Sequence, residues 1–217
     1  SNGGAIDMYY YIPDPNTHTL EMTLTKCTFA DNKAGNWGGA IHTQNFEGTF
    51  NQCYFVNNTA WSGGAVHLSE GIVQVGNSLF SGNAAIGLTY YHKAVTGEGF
   101  GGAVACMNTS ATIVDTVFVE NRAESGQGQG GAIAFVSANA AISHSMDNCL
   151  LADNYAKLTG GAIAMTNGVN PSINNCTFAG NTTDGQGGGL FISLNSQATL
   201  TNSIFTGSNS FAVYDQN

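Results

Sequence analysis

Three groups of side chains in this chain have the types and spacing that chemistry needs. Asp7, His42 and His67 each follow directly on the same short phrase, a double glycine, an alanine and an aliphatic residue. If those phrases stack, the three side chains form an outward column whose neighbours are close enough to share a transition metal ion; the competing reading is a solvated polar face. Glu120 and Asp153 occupy equivalent places in successive copies of a second phrase, and Arg122, the only arginine, lies two residues beyond Glu120. Two carboxylates with a basic neighbour are the groups that acid–base cleavage of a polysaccharide uses. The alternative is an acidic turn face carrying a surface ion pair. The third group is aromatic. Trp37 and Phe100 immediately precede double glycines, Trp61 stands two residues before one, and Tyr9, Tyr10, Tyr11, Tyr90 and Tyr91 fall in the stretches between phrases. Exposed, such a strip stacks on sugar rings or anchors a protein partner; folded down, it is a satellite cluster covering the sheet.

All three groups depend on a repeat. Double-glycine openings begin at Gly3, Gly38, Gly63, Gly101, Gly130, Gly160 and Gly187, and they alternate with a Phe-x-x-Asn phrase at Phe29, Phe55, Phe80, Phe118 and Phe178. Leu151 takes the Phe position in one copy, and Phe205 to Ser208 is a worn one. Recurrence at this length means one supersecondary unit stacked on itself. Aligned on the Phe, the copies show columns. Ile6, Ile41, Val66, Val104, Ile133, Ile163 and Leu190 form the first, and Leu24, Phe50, Val75, Ile113, Met146, Ile173 and Leu200 form another. Period-two alternation of this kind marks strands with one buried face. Each copy reads as three short strands: one after the double glycine, one through the Leu24 column and one through the Phe.

Such strands must pair in parallel with the copies above and below, about 4.8 Å apart. The result is an all-β parallel β-helix of about seven rungs with no evident capping helix, right-handed by the crossover rule. Asn32, Asn58, Asn83, Asn121, Asn154 and Asn181 then stack as a structural amide ladder at a turn that tolerates left-handed backbone. Residues 1–217 read as a single domain, part of a longer surface protein or a filament subunit. Ser210-Phe211-Ala212-Val213 looks like the opening of an eighth rung.

Composition narrows the partners. Five Lys and Arg against 14 Asp and Glu give a net charge of −9, the wrong sign for nucleic acid or an anionic membrane. No apolar run is long enough to span a bilayer as a helix. The spacing of the five cysteines matches no zinc signature. Cys27 and Cys53, like Cys149 and Cys176, share a column that also takes Ser and Thr, so they read as small buried free thiols. Nothing in the chain calls for a cofactor.

The seven Gly-Gly-Ala-(Ile/Val/Leu) openings and their answering Phe-x-x-Asn phrases resemble the polymorphic outer-membrane proteins of chlamydiae, and the likeness covers nearly the whole chain. It implies a surface-exposed, autotransported passenger domain at the outer membrane, acting in adhesion, with the two phrases as the residues that matter. The pattern departs at Leu151, Gly189 and Ser208, and no membrane barrel follows in these residues. The expected function is therefore a secreted or surface-displayed adhesin that meets a host-cell receptor or glycan through the aromatic-bearing loops, with head-to-tail self-association open to it. Two other classes compete: a carbohydrate-active enzyme, either polysaccharide lyase or glycoside hydrolase, built on Glu120, Asp153 and Arg122, and a purely structural filament subunit. With so few cationic side chains, the enzyme would serve an acidic polysaccharide poorly.

Overall fold

The computed structural model describes residues 2–9, 20–87, 89–90, 93–94, 99–137, 139 and 141–217. Among them there is no helix, and the strands form three long parallel sheets that wind together as a β-helix, beside one small antiparallel pair, Thr89–Tyr90 with Lys93–Ala94. The longest sheet has 12 strands. Its register sets Ile6, Ile41, Val66, Val104, Ile133, Ile163 and Leu190 in one line, then continues to Val213. Val213–Asp215 therefore opens the eighth rung. The middle sheet, from Thr28–Ala30 to Ile204–Thr206, has seven strands and carries the Phe column inward.

The partition into strands differs from the expectation. In three rungs the first two expected strands are one 11-residue strand: Ile41–Asn51, Val66–Gly76 and Val104–Val114. A residue with positive φ sits inside each, Asn45 at 55°, Glu70 at 60° and Asn108 at 51°. It absorbs one position of the pleat, so the inward face passes from Thr43 to Phe46 and from Cys106 to Thr109 without breaking the ladder. The third strand instead lies beyond the Asn ladder, in a five-stranded sheet of two-residue strands beginning with Thr59–Ala60 and Ala84–Ala85. Its inward column is small: Ala60, Ala85, Ala123, Ala156 and Thr183 are all buried.

The two glycines of each opening have different reasons. Gly38 holds φ at 58°, where a side chain is strained. Gly64 lies against the next rung, and a Cβ there would overlap the carbonyl oxygen of Gly102. Inside the coil, like packs on like. Phe55, Phe80 and Phe118 stack at ring-centroid distances of 4.6 and 4.8 Å, nearly parallel, and are fully buried. The asparagine ladder is as expected in its bonding but not in its backbone. Asn58, Asn83, Asn121, Asn154 and Asn181 are fully buried, and each side-chain Nδ2 donates to a neighbouring rung. The left-handed residues are those just before them, Asp31, Asn57, Gly82, Glu120, Asp153 and Gly180. The ladder residue itself keeps ordinary φ, so its side chain points inward from the corner that its neighbour turns.

Candidate functional site

The outer face of the long sheet brings together two of the three groups. Register places Asp7 beside His42 and His42 beside His67, as the repeat requires. The column is not a solvated face, however: His42 and His67 are buried, because Trp37 folds over them with its ring 5.3 Å from the first and 5.6 Å from the second. His42 Nδ1 lies 2.8 Å from Asp7 Oδ1, and the two imidazole rings lie 5.6 Å apart, tilted at 43° to each other. Burial, with His42 alongside, lowers the His67 pKa to about 3, so this ring is neutral in the fold. Among the described residues no three His, Cys, Asp or Glu side chains are gathered closely enough to hold a metal ion.

The aromatic strip packs in the same way. Phe100 is buried against Ala105 and Ala134, and Trp61 is half-buried with its indole Nε1 enclosed and unpaired among the described residues. Phe100 is thus part of a small buried cluster and Trp37 packs on the two imidazoles, while Trp37 and Trp61 stay partly exposed. Tyr10, Tyr11 and Tyr91 lie outside the described residues, and Tyr9 and Tyr90 are described in their backbone alone.

Glu120 and Asp153 are exposed and stand at the same turn of adjacent rungs, joined by the Glu120 N–H donating to the Ala152 carbonyl. Both have positive φ. Arg122 does not complete a site with them. It stands in the five-stranded sheet, where its guanidinium pairs with Glu124 and lies 4.6 Å above the Tyr155 ring. Lys157 and Asp184 form a second surface pair near the same ring. The cysteines are all thiols, and burial pushes Cys106 up to about 12, which removes it as a nucleophile.

The position directly before each double glycine forms a corner column on the outside of the coil. It runs Trp37, Ser62, Phe100, Gln129, Thr159, Gln186, linked rung to rung by backbone bridges and by Ser62 Oγ donating to the Phe100 carbonyl. Beside it runs the column His42, His67, Ala105, Ala134, Ala164, Phe191. In the N-terminal half, aromatic corner residues lie over this second column and close the space. In the C-terminal half the corner residues are amides and a hydroxyl, and a cleft of about 340 Å³ stays open. It is lined by Gln129, Thr159 and Gln186 on one side and by Thr166, Asn167, Ser193 and Gln216 on the other, with Leu158 and Phe191 as its apolar walls. Residue type hid this cleft from sequence reasoning, which looked for aromatics and carboxylates. Reading the whole column before the double glycines would have found its first wall.

Two stretches, residues 26–44 and 175–193, match the model of the Chlamydia polymorphic membrane protein repeat. Each begins at a left-handed turn residue, Lys26 or Asn175, carries one Phe-x-x-Asn phrase and runs through the double glycine into the long sheet. No curated protein and no solved structure matches the chain. The chain thus carries this repeat, and the repeat is one turn of a parallel β-helix.

Proposed function

We propose that this chain, built on the repeat of a membrane-protein family, is a surface-displayed β-helical stalk that acts in adhesion. The observation that carries the reading is the coincidence of repeat and fold: each stretch that matches the family runs from a strand of the middle sheet through the double glycine into the long sheet, at equivalent places in two different turns of the coil. A stack in which each rung buries its neighbours is rigid along its axis and presents long, regular outer faces, which suits holding a recognition surface away from a cell. The net charge of −9 keeps such a rod soluble and directs it away from nucleic acid. With Trp37 and Phe100 packed down, recognition belongs to outer faces other than the aromatic corner. Arg122, committed to Glu124 and Tyr155, leaves Glu120 and Asp153 without the basic partner a lyase needs among the described residues.

The test is to display the chain on a non-adherent bacterium and count cells retained by an epithelial monolayer. Retention several-fold above a barrel-only control supports adhesion. Retention equal to the control overturns it, and sedimentation of the soluble chain as long polymers would assign it to a filament instead.

A further inference from the structure

The open cleft in the C-terminal half has the chemistry of a saccharide site, and we propose that it binds a neutral oligosaccharide. Its nine lining residues carry no charge, which disfavours ionic ligands, since a buried ion needs a paired partner. Four of the nine are side-chain amides, Gln129, Asn167, Gln186 and Gln216, and three are hydroxyls, Thr159, Thr166 and Ser193. Each amide offers donors and an acceptor together, which is what a sugar's vicinal hydroxyls require. Leu158 and Phe191 supply the apolar walls on which the C–H face of a ring rests.

A second observation points the same way. The hydroxyl oxygens of Thr159 and Thr166, both in the cleft lining, are buried and have no hydrogen-bond partner among the described residues. Buried hydroxyls are rarely left so. Neither oxygen is open to water as it stands, so a rotation about χ1 is needed before a cleft water or a ligand hydroxyl can satisfy it. The cleft also has a direction. Gln129, Thr159 and Gln186 stand on three successive rungs, and rungs repeat about every 4.8 Å, close to the length of one pyranose in an extended chain. Successive sugars of a linear glycan would therefore meet equivalent polar groups. The strands Ile163–Thr166 and Leu190–Ile192, which carry Thr166 and Phe191 of the lining, are already paired on both edges, so a peptide cannot add between them as an extra strand.

This inference deepens the adhesion reading by naming a ligand class, but its test needs only the purified chain, so the two can fail separately. The chain is titrated with cellotetraose, xylotetraose, laminaritetraose, mannotetraose and chitotetraose, with trigalacturonate as the acidic comparison. Binding is followed by NMR shifts of the Gln129, Gln186 and Gln216 side-chain amides. At least one neutral tetrasaccharide is expected to shift them saturably. Gln129→Ala with Gln186→Ala should weaken that binding by about tenfold or more, as loss of two hydrogen-bonding groups implies. Thr159→Val, which removes a hydroxyl and keeps the volume, should weaken it with an unchanged melting temperature. Tyr54→Ser, on the outer face of the middle sheet, should leave it intact. The proposal is overturned if no neutral tetrasaccharide shifts the cleft amides, if the Gln double variant binds equally well, or if trigalacturonate alone binds.

Discussion

Asn121 shows why the ladder residue cannot be exchanged for another small polar side chain. Its Nδ2 donates to the Phe80 carbonyl at 2.9 Å and to Asn154 Oδ1 at 3.0 Å. Its Oδ1 accepts from the backbone N–H of Asn83 and from Asn83 Nδ2. Asn121→Ala leaves the Asn83 N–H without its acceptor and takes one bond each from Asn83 Nδ2, Asn154 Oδ1 and the Phe80 carbonyl in a dry interior, and urea unfolding should show a loss of about 3 kcal/mol or more. One residue earlier the expectation reverses. Glu120 holds φ at 57° on the surface, and Gly82 and Gly180 occupy the same place in other rungs. Glu120→Gly should therefore hold or raise stability, by up to about 1 kcal/mol; a large loss would show that Glu120 does something beyond turning the chain. His144 is the one buried imidazole facing the coil interior with neither ring nitrogen bonded among the described residues, its ring 4.2 Å from that of Phe135. Burial lowers its pKa to about 4. Because the unfolded chain takes up this proton near pH 6.5 and the folded chain only near pH 4, the contribution is full above pH 6.5 and is lost as pH falls between those values. Melting curves should thus fall through that window by something on the order of 3 kcal/mol from His144 alone. His144→Leu should flatten the slope and raise stability at pH 7.

At the scale of the element, the Phe stack is the unit. Leu151 fills one slot between Phe118 and Phe178, fully buried, so the interior accepts an aliphatic side chain of similar reach. Phe80→Leu should cost about 1–2 kcal/mol, chiefly its two ring stacks, while Phe80→Ala leaves a cavity and should cost about 4 kcal/mol. Equal losses in thermal melts would mean that stacking contributes nothing beyond volume. The Phe column and the Leu24 column were legible because inward side chains repeat with little drift. The two-residue strands past the ladder were missed because their inward column is Ala and Thr, which carries no hydrophobic signal. The fused strands were missed because Asn45, Glu70 and Asn108 interrupt the alternation that would have marked them as continuous.

Across the whole molecule, each rung touches only its neighbours, so stability is shared along one dimension. The three 11-residue strands lie together, Ile41–Asn51 and Val104–Val114 flanking Val66–Gly76. Toward the C-terminus the equivalent strands shorten to Leu190–Ile192, Thr199–Thr201 and Val213–Asp215. Amide hydrogen exchange should be slowest in the first set and fastest in the last, with protection falling by about a hundredfold or more between them. Uniform protection would mean that the coil opens only as a whole.

The repeat alone was enough to determine the architecture, the register and the amide ladder, because stacking in parallel forces like residues onto like and each column can be read from the alignment. The sites were another matter. Asp7, His42 and His67 do share a column, and Trp37 and Phe100 do share a corner, but whether a column is open or covered depends on how far a neighbouring side chain folds across it. Trp37 over the histidines closes the N-terminal half; Gln129, Thr159 and Gln186, too polar to pack down on alanine, leave the C-terminal half open. Spacing along a chain carries no information on that choice, since it is made between columns, by side chains that meet only once the coil has closed.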